Sequence, residues 1–247
     1  MRRADIAGHN YHYANRVVPD PQVRPPRLRA VETCRECPRR ASAMDDMTSS
    51  EPADARAVFL DKDGTLVPGL PHGSDPDLLE LLPRVGEGLR QLQDAGYLLI
   101  VVSNEPGVAL GRFPASALTL VEARIDELLA PYGVVISGYF WCIHHPPGTR
   151  VVGATACTCR KPRPGLLLDA AGTQGIALDQ SWMIGDILDD VEAGVRAGCR
   201  AVLVDRGGET RWRAGRVRTP SAIVYDFADA AAFIVGGQRK MSASRPA

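Results

Sequence analysis

The 247-residue chain is 45% hydrophobic, 23% charged and 6% aromatic, values of an ordinary globular protein that exclude a collagen-like, low-complexity or wholly disordered chain. Twenty-nine basic residues balance twenty-nine acidic ones, so net charge gives no reason to expect a nucleic-acid or membrane partner. No apolar run reaches the ~18 residues of a membrane span, and Met1-Arg2-Arg3-Ala4-Asp5 lacks the apolar stretch of a secretory leader, so a cytoplasmic protein is expected.

The balance hides an asymmetry. Residues 1–43 hold nine arginines and four acids, net +5, and the remainder is net −5. Residues 1–55 have scattered prolines and no sustained helical or strand period, which predicts a disordered basic tail. Met44 and Met47, just ahead of the first strand, are alternative translation starts. Cys34 and Cys37 fall in this tail with no second pair nearby and read as incidental.

From Arg56 onwards, apolar runs of four to eight residues alternate with amphipathic stretches, the pattern of a doubly wound α/β domain spanning 56–236. Strands are predicted at 57–60, 98–103, 138–141, 181–184 and 201–204, with helices at 85–95, 114–130, 164–174 and 189–197. Residues 237–247 are expected to be a second disordered tail. In such sheets ligands bind beyond the carboxyl ends of the strands, so the residues just after each strand are the first candidates for chemistry.

The first strand runs into Asp61-Lys62-Asp63-Gly64-Thr65. Two carboxylates two residues apart on extended backbone share a side, suited to a hard divalent cation, and one of them can attack phosphorus; a solvated Asp-Gly turn is the plain alternative. The next strand ends at Ser103-Asn104, whose hydroxyl and amide suit phosphate oxygens or, alternatively, a helix cap. Arg160-Lys161-Pro162 precedes a helix; with only three lysines in the chain, Lys161 is more than background, and it suits a phosphoryl group as a point charge. The fourth strand enters Gly185-Asp186-Ile187-Leu188-Asp189-Asp190, where Asp186 can complete a metal site and Asp190 can orient it. Asp189 reads as a helix N-terminal acid.

Six cysteines in a cytoplasmic chain point to metal or redox chemistry before disulfides. Cys142-Ile143-His144 and Cys157-Thr158-Cys159 form a C-x-H…C-x-C set of the donor types zinc prefers, with no position left for water, hence a structural ion. Either His144 or His145 can be the imidazole ligand. Cys199, at a helix-to-strand turn, reads as a small core residue.

DKDGT, the strand-end Ser103, Lys161 before a helix and GDxxxD, in that order, resemble the haloacid dehalogenase (HAD) superfamily over roughly residues 56–236. Within it the chain is similar to the heptose bisphosphate phosphatases and the histidinol-phosphate phosphatases. The resemblance implies a minimal cap and a zinc-binding loop, and a small sugar phosphate as substrate. It implies Asp61 as nucleophile, Asp63 as general acid and base, and Ser103 and Lys161 stabilising the phosphoryl group. It further implies Asn104 and Arg160 on the substrate, magnesium on Asp61, Asp186 and the Asp63 carbonyl, and zinc on Cys142, His144, Cys157 and Cys159. The chain departs from the heptose-enzyme pattern at Glu105 and Pro106, where Gln and Ser are expected, and at Ile187, where Lys is expected. A monomer is expected. The alternatives from other classes are a zinc-stapled binding protein without turnover and a nucleic-acid end-processing phosphatase; the acidic body argues against the latter.

Overall fold

The computed structural model describes residues 37–41, 55–69, 76–145, 157–213 and 215–243, all within one compact unit, Val31–Ala247. The strands are β1 (Arg39–Ala41), β2 (Ala57–Leu60), β3 (Leu98–Asn104), β4 (Gly138–Cys142), β5 (Trp182–Gly185), β6 (Arg200–Val204) and β7 (Ala222–Val224). The helices are α1 (Val85–Asp94), α2 (Pro106–Ala109), α3 (Ala117–Leu129), α4 (Gly165–Gln174), α5 (Leu188–Ala197) and α6 (Phe227–Ala243).

One sheet takes the order β1-β4-β3-β2-β5-β6-β7. β2 to β7 are parallel and β1 joins β4 antiparallel. The alternation of side chains along a strand divides the core. Val58 and Leu60 pack with Leu89 of α1, Val121 of α3 and Phe227 of α6 on one face, while Ala57 and Phe59 pack with Leu167 of α4 and Val191 of α5 on the other. Both faces of the sheet are covered, which is why its strands read as continuous apolar runs. The chain builds outward from β2 to β3 and β4, then crosses back to place β5 on the other side of β2, so the topological switch lies at the end of β2, where Asp61 follows.

Three features differ from the sequence reading. Arg39–Ala41, inside the stretch expected to be a tail, is a strand paired Arg39↔Phe140 and Ala41↔Gly138. At the other end, α6 runs past residue 237 to Ala243; Phe227, Ala230, Ala231 and Ile234 form an apolar stripe at helical spacing that packs against the α1 side of the core. β7 was also not anticipated, because Ala222–Val224 is too short to show a period. Residues 1–36, with Cys34, and Met44 and Met47 lie outside the described residues. Among the described residues no helix is long and apolar enough to cross a membrane.

Candidate active site

Four strand ends converge around Asp61. β2 delivers it buried, its N–H donating to the Ile184 carbonyl at 3.0 Å, so the β2–β5 ladder holds the residue on both sides of the switch. The chain then turns sharply: the Leu66 and Val67 N–H groups both donate to the Lys62 carbonyl, at 2.9 and 3.1 Å. Gly64 sits in that turn at φ 84°, and a Cβ there would come within 2.1 Å of Asp186 Oδ2. Glycine is required both for the left-handed backbone and for the close approach of the carboxylate.

Lys161 is buried and its ammonium is bonded to Asp61 Oδ1, to Asp190 Oδ1 at 2.7 Å and to the Val102 carbonyl at 2.9 Å. Burial alone would lower its pKa, but the Asp190 and Asp61 carboxylates outweigh that and hold the ammonium protonated. Asn104 clamps the Lys161 backbone, accepting its N–H at 3.0 Å and donating to its carbonyl at 3.1 Å. In this state Asn104 positions the lysine. Arg160 donates to the His144 carbonyl at 3.3 Å, linking the segment that carries Lys161 to the cysteine cluster.

Asp61, Asp186 and Asp190 bring one carboxylate oxygen each within 4.8 Å of one another. Burial, and then repulsion from Asp61 and Asp190, pushes Asp186 up to about 8; burial and the Asp61 charge push Asp190 up to about 7 despite Lys161 beside it. Three crowded hard-oxygen donors with one ammonium among them fit a small divalent cation, which relieves this repulsion. Asp190, expected to act from outside the metal shell, shares one set of close carboxylates with Asp61 and Asp186. Asp189 instead pairs with Arg218 at 2.9 Å, the helix-terminal role expected of it.

Asp63 is half-buried, its Oδ1 2.9 Å from Lys62 Nζ. Burial and the Asp61 charge raise its pKa above the usual aspartate value against the opposing Lys62 cation, the direction that a proton-carrying carboxyl needs. Lys62 is fully buried and also meets Glu105 Oε1 at 3.1 Å; the Ser103 hydroxyl donates to that oxygen at 3.2 Å. Burial pushes Glu105 up to about 7 even with Lys62 against it. The sequence carries no local signal for this Lys62–Glu105 pair beyond the rarity of lysine, of which the chain has three.

The second cluster lies at the end of β4. Ligand atoms of Cys37, Cys142, His144 and Cys159 all fall within 4.8 Å of one another. Cys157 Sγ lies 3.7 Å from Cys142 Sγ but is outside that set, and Cys37, which read as incidental, is inside it. Of the two candidate histidines, His144 is the one in that set. Hydrogen bonds from Cys159 and Cys37 lower the Cys142 thiol to about 5, and the bond to Cys142 raises that of Cys159. Three sulfurs and one imidazole nitrogen are a donor set for a soft four-coordinate ion. None of the five described cysteines is in a disulfide, and Cys199 is buried in the core as expected.

Residues 158–230 match the HAD-hydrolase-like family. The chain is 36% identical over 155 residues to the D-glycero-beta-D-manno-heptose-1,7-bisphosphate 7-phosphatase of Escherichia coli (strain K12), covering 62% of this chain and 80% of that protein. It is 38% identical over 157 residues to the protein of the same name from Haemophilus ducreyi, covering 62% and 85%. Among solved structures, the D,D-heptose 1,7-bisphosphate phosphatase from B. bronchiseptica, complexed with magnesium and phosphate, superposes with a TM-score of 0.64 at 26% identity, covering 74% of this chain and 99% of that one.

Proposed function

The chain belongs to the HAD-like phosphatase family, and from that premise we propose that it is a magnesium-dependent phosphatase that removes the 7-phosphate of D-glycero-β-D-manno-heptose 1,7-bisphosphate. The observation that carries this reading is the convergence of Asp61, Lys161, Asp186 and Asp190 at the topological switch. It is supported by relatives named for that substrate and by a related structure holding magnesium and phosphate.

Asp61 attacks phosphorus, forming an O–P bond as the bond to the sugar oxygen breaks; Asp63 gives its proton to the departing oxygen. Water then attacks the aspartyl-phosphate, Asp63 takes the water's proton, and phosphate leaves with Asp61 restored. Lys161 neutralises the phosphoryl oxygens as a point charge beside the nucleophile. Magnesium, held by Asp61, Asp186 and either the Asp63 carbonyl or Asp190, supplies the charge that lets a carboxylate approach a phosphate dianion. In this reading Arg160 receives a second anionic group, Ser103 serves the phosphate side, and Asn104 acts through the Lys161 backbone that it clamps. The Cys/His cluster would hold zinc as a structural ion, which would fix the backbone leading to Arg160 and Lys161.

The test is a comparison of kcat/KM for heptose 1,7-bisphosphate, histidinol phosphate and simple sugar monophosphates with magnesium present. The heptose substrate is expected to lead by at least about tenfold, the size of one lost charged contact. A lead for histidinol phosphate overturns the substrate and leaves the reaction; this matters because Glu105, Pro106 and Ile187 depart from the heptose-enzyme pattern. Turnover of none of them, in folded protein loaded with magnesium, overturns the enzyme reading.

A further inference from the structure

Five soft donors meet at the end of β4, one more than a tetrahedral ion takes: Cys37, Cys142, His144, Cys157 and Cys159. On the reading that this cluster holds a metal, the geometry points to Cys37 as the fourth ligand, so that the ion ties the N-terminal segment to the edge of the sheet.

Distances choose between the two candidates. Zinc–sulfur bonds of ~2.3 Å and zinc–nitrogen bonds of ~2.0 Å at tetrahedral angles give S···S edges of ~3.8 Å and S···N edges of ~3.6 Å. Cys37 Sγ lies 3.4 Å from Cys159 Sγ and 3.6 Å from His144 Nδ1. The undisputed members are spaced alike: Cys142 is 3.3 Å from Cys159 and 3.7 Å from His144, and Cys159 is 3.3 Å from His144. Cys157 makes one edge of that length, to Cys142 at 3.7 Å, and stands outside the mutually close set.

Three further contacts deliver Cys37 independently of any ion. The Trp141 N–H donates to the Pro38 carbonyl at 3.3 Å, β1 continues the pairing along β4, and Arg39 Nη1 reaches Asp169 Oδ1 of α4 at 2.6 Å. The Cys37 side chain also packs against the apolar cluster beneath α4 and α5. A thiol 122 residues from Cys159 is thus aimed at the cluster by backbone pairing, an ion pair and packing. When the ion binds, each thiol ligand loses its proton to solvent, and three thiolates leave the centre with a net charge of −1.

Loading the full chain with cobalt(II) tests this, because the thiolate-to-metal charge-transfer band grows with the number of thiolates bound. Cys37→Ser is expected to lose about one third of that band and to bind cobalt at least about tenfold more weakly, while Cys157→Ser keeps both. Alkylation of the wild-type protein, read by peptide mass, needs no variant to fold: Cys37 should be protected with metal bound and labelled once it is stripped. A Cys37→Ser protein with the full band and affinity, or a Cys37 labelled equally with and without metal, overturns the inference and leaves the metal centre standing. A wild-type protein that takes up no cobalt removes the metal centre itself and the inference with it.

Discussion

Lys62, the residue after Asp61, lies wholly buried between two carboxylates, Asp63 at 2.9 Å and Glu105 at 3.1 Å. Burial would lower its pKa, but Glu105 and Asp63 outweigh burial and keep it charged. Truncating Glu105 removes one of the two carboxylates that hold a buried ammonium charged, so Glu105→Ala is expected to lose about 3 kcal/mol of stability, read as a lower urea midpoint at unchanged slope. Adding Lys62→Met to that background should recover part of the loss. Asp61 carries a different kind of prediction. Asp61→Asn replaces the attacking oxygen anion by a neutral amide and removes a metal donor, and phosphate release should fall by at least about a thousandfold while circular dichroism is unchanged. Turnover within tenfold of wild type would place the nucleophile elsewhere.

At the scale of elements, β4 and α4 position the chemistry. β4 is held to α3 by two polar contacts across the core: Trp141 Nε1 donates to Glu122 Oε1 and the Tyr139 hydroxyl donates to Asp126 Oδ1, both at 2.7 Å. Glu122→Ala strands a buried indole N–H, which costs about 2 kcal/mol; the check is the denaturation midpoint, compared with Glu127→Ala at an exposed position of the same helix. α4 begins at Gly165, whose N–H donates to the Thr158 carbonyl at 3.1 Å, and a Cβ there would stand 2.4 Å from that oxygen. A backbone atom cannot swing aside, so Gly165→Ala must displace the link between Cys159 and α4, which contains Lys161. The expected result is a folded protein with kcat/KM lowered by about a hundredfold, the cost of roughly 1 Å of misplacement.

For the whole molecule, crowding of acids at one end of the sheet makes stability depend on pH and on the cation. Asp186 at about 8 and Asp190 at about 7 lie above the 3.8 of an unfolded aspartate, so the folded state holds protons that the unfolded chain has released. Their contribution is full below pH 3.8 and is lost as pH rises through the folded values. Magnesium-free protein is therefore expected to melt at lower temperature at pH 8.5 than at pH 6, as far as these groups decide it. Saturating magnesium or Asp186→Asn should each shrink that difference. An equal pH dependence in the Asp186→Asn protein would contradict the assignment.

The order of β2 to β6 and of α1, α3, α4 and α5, with Asp61, Ser103 and Asp186 at strand ends and Lys161 before a helix, is legible because it rests on local signals: apolar runs of strand length, helical spacing, and polar residues where the runs stop; the four-residue α2 is too short to show a period. The resemblance to the HAD superfamily added roles to positions already marked in this way. Local periodicity carries no information about which distant segments meet. β1 has only three residues, and its pairing to β4 is decided by a free sheet edge that exists after folding. Cys37 read as incidental because its partners are more than a hundred residues away, and only that strand pairing brings it to Cys159. Glu105 was visible as a departure from the family pattern, but its pairing with Lys62 required β2 and β3 to lie side by side in register. The sequence by itself determined the elements and the residue types available for phosphoryl transfer. The tertiary structure decided which buried charges face one another and which sulfurs share a centre, because those energies exist only between groups that folding brings within a few ångströms.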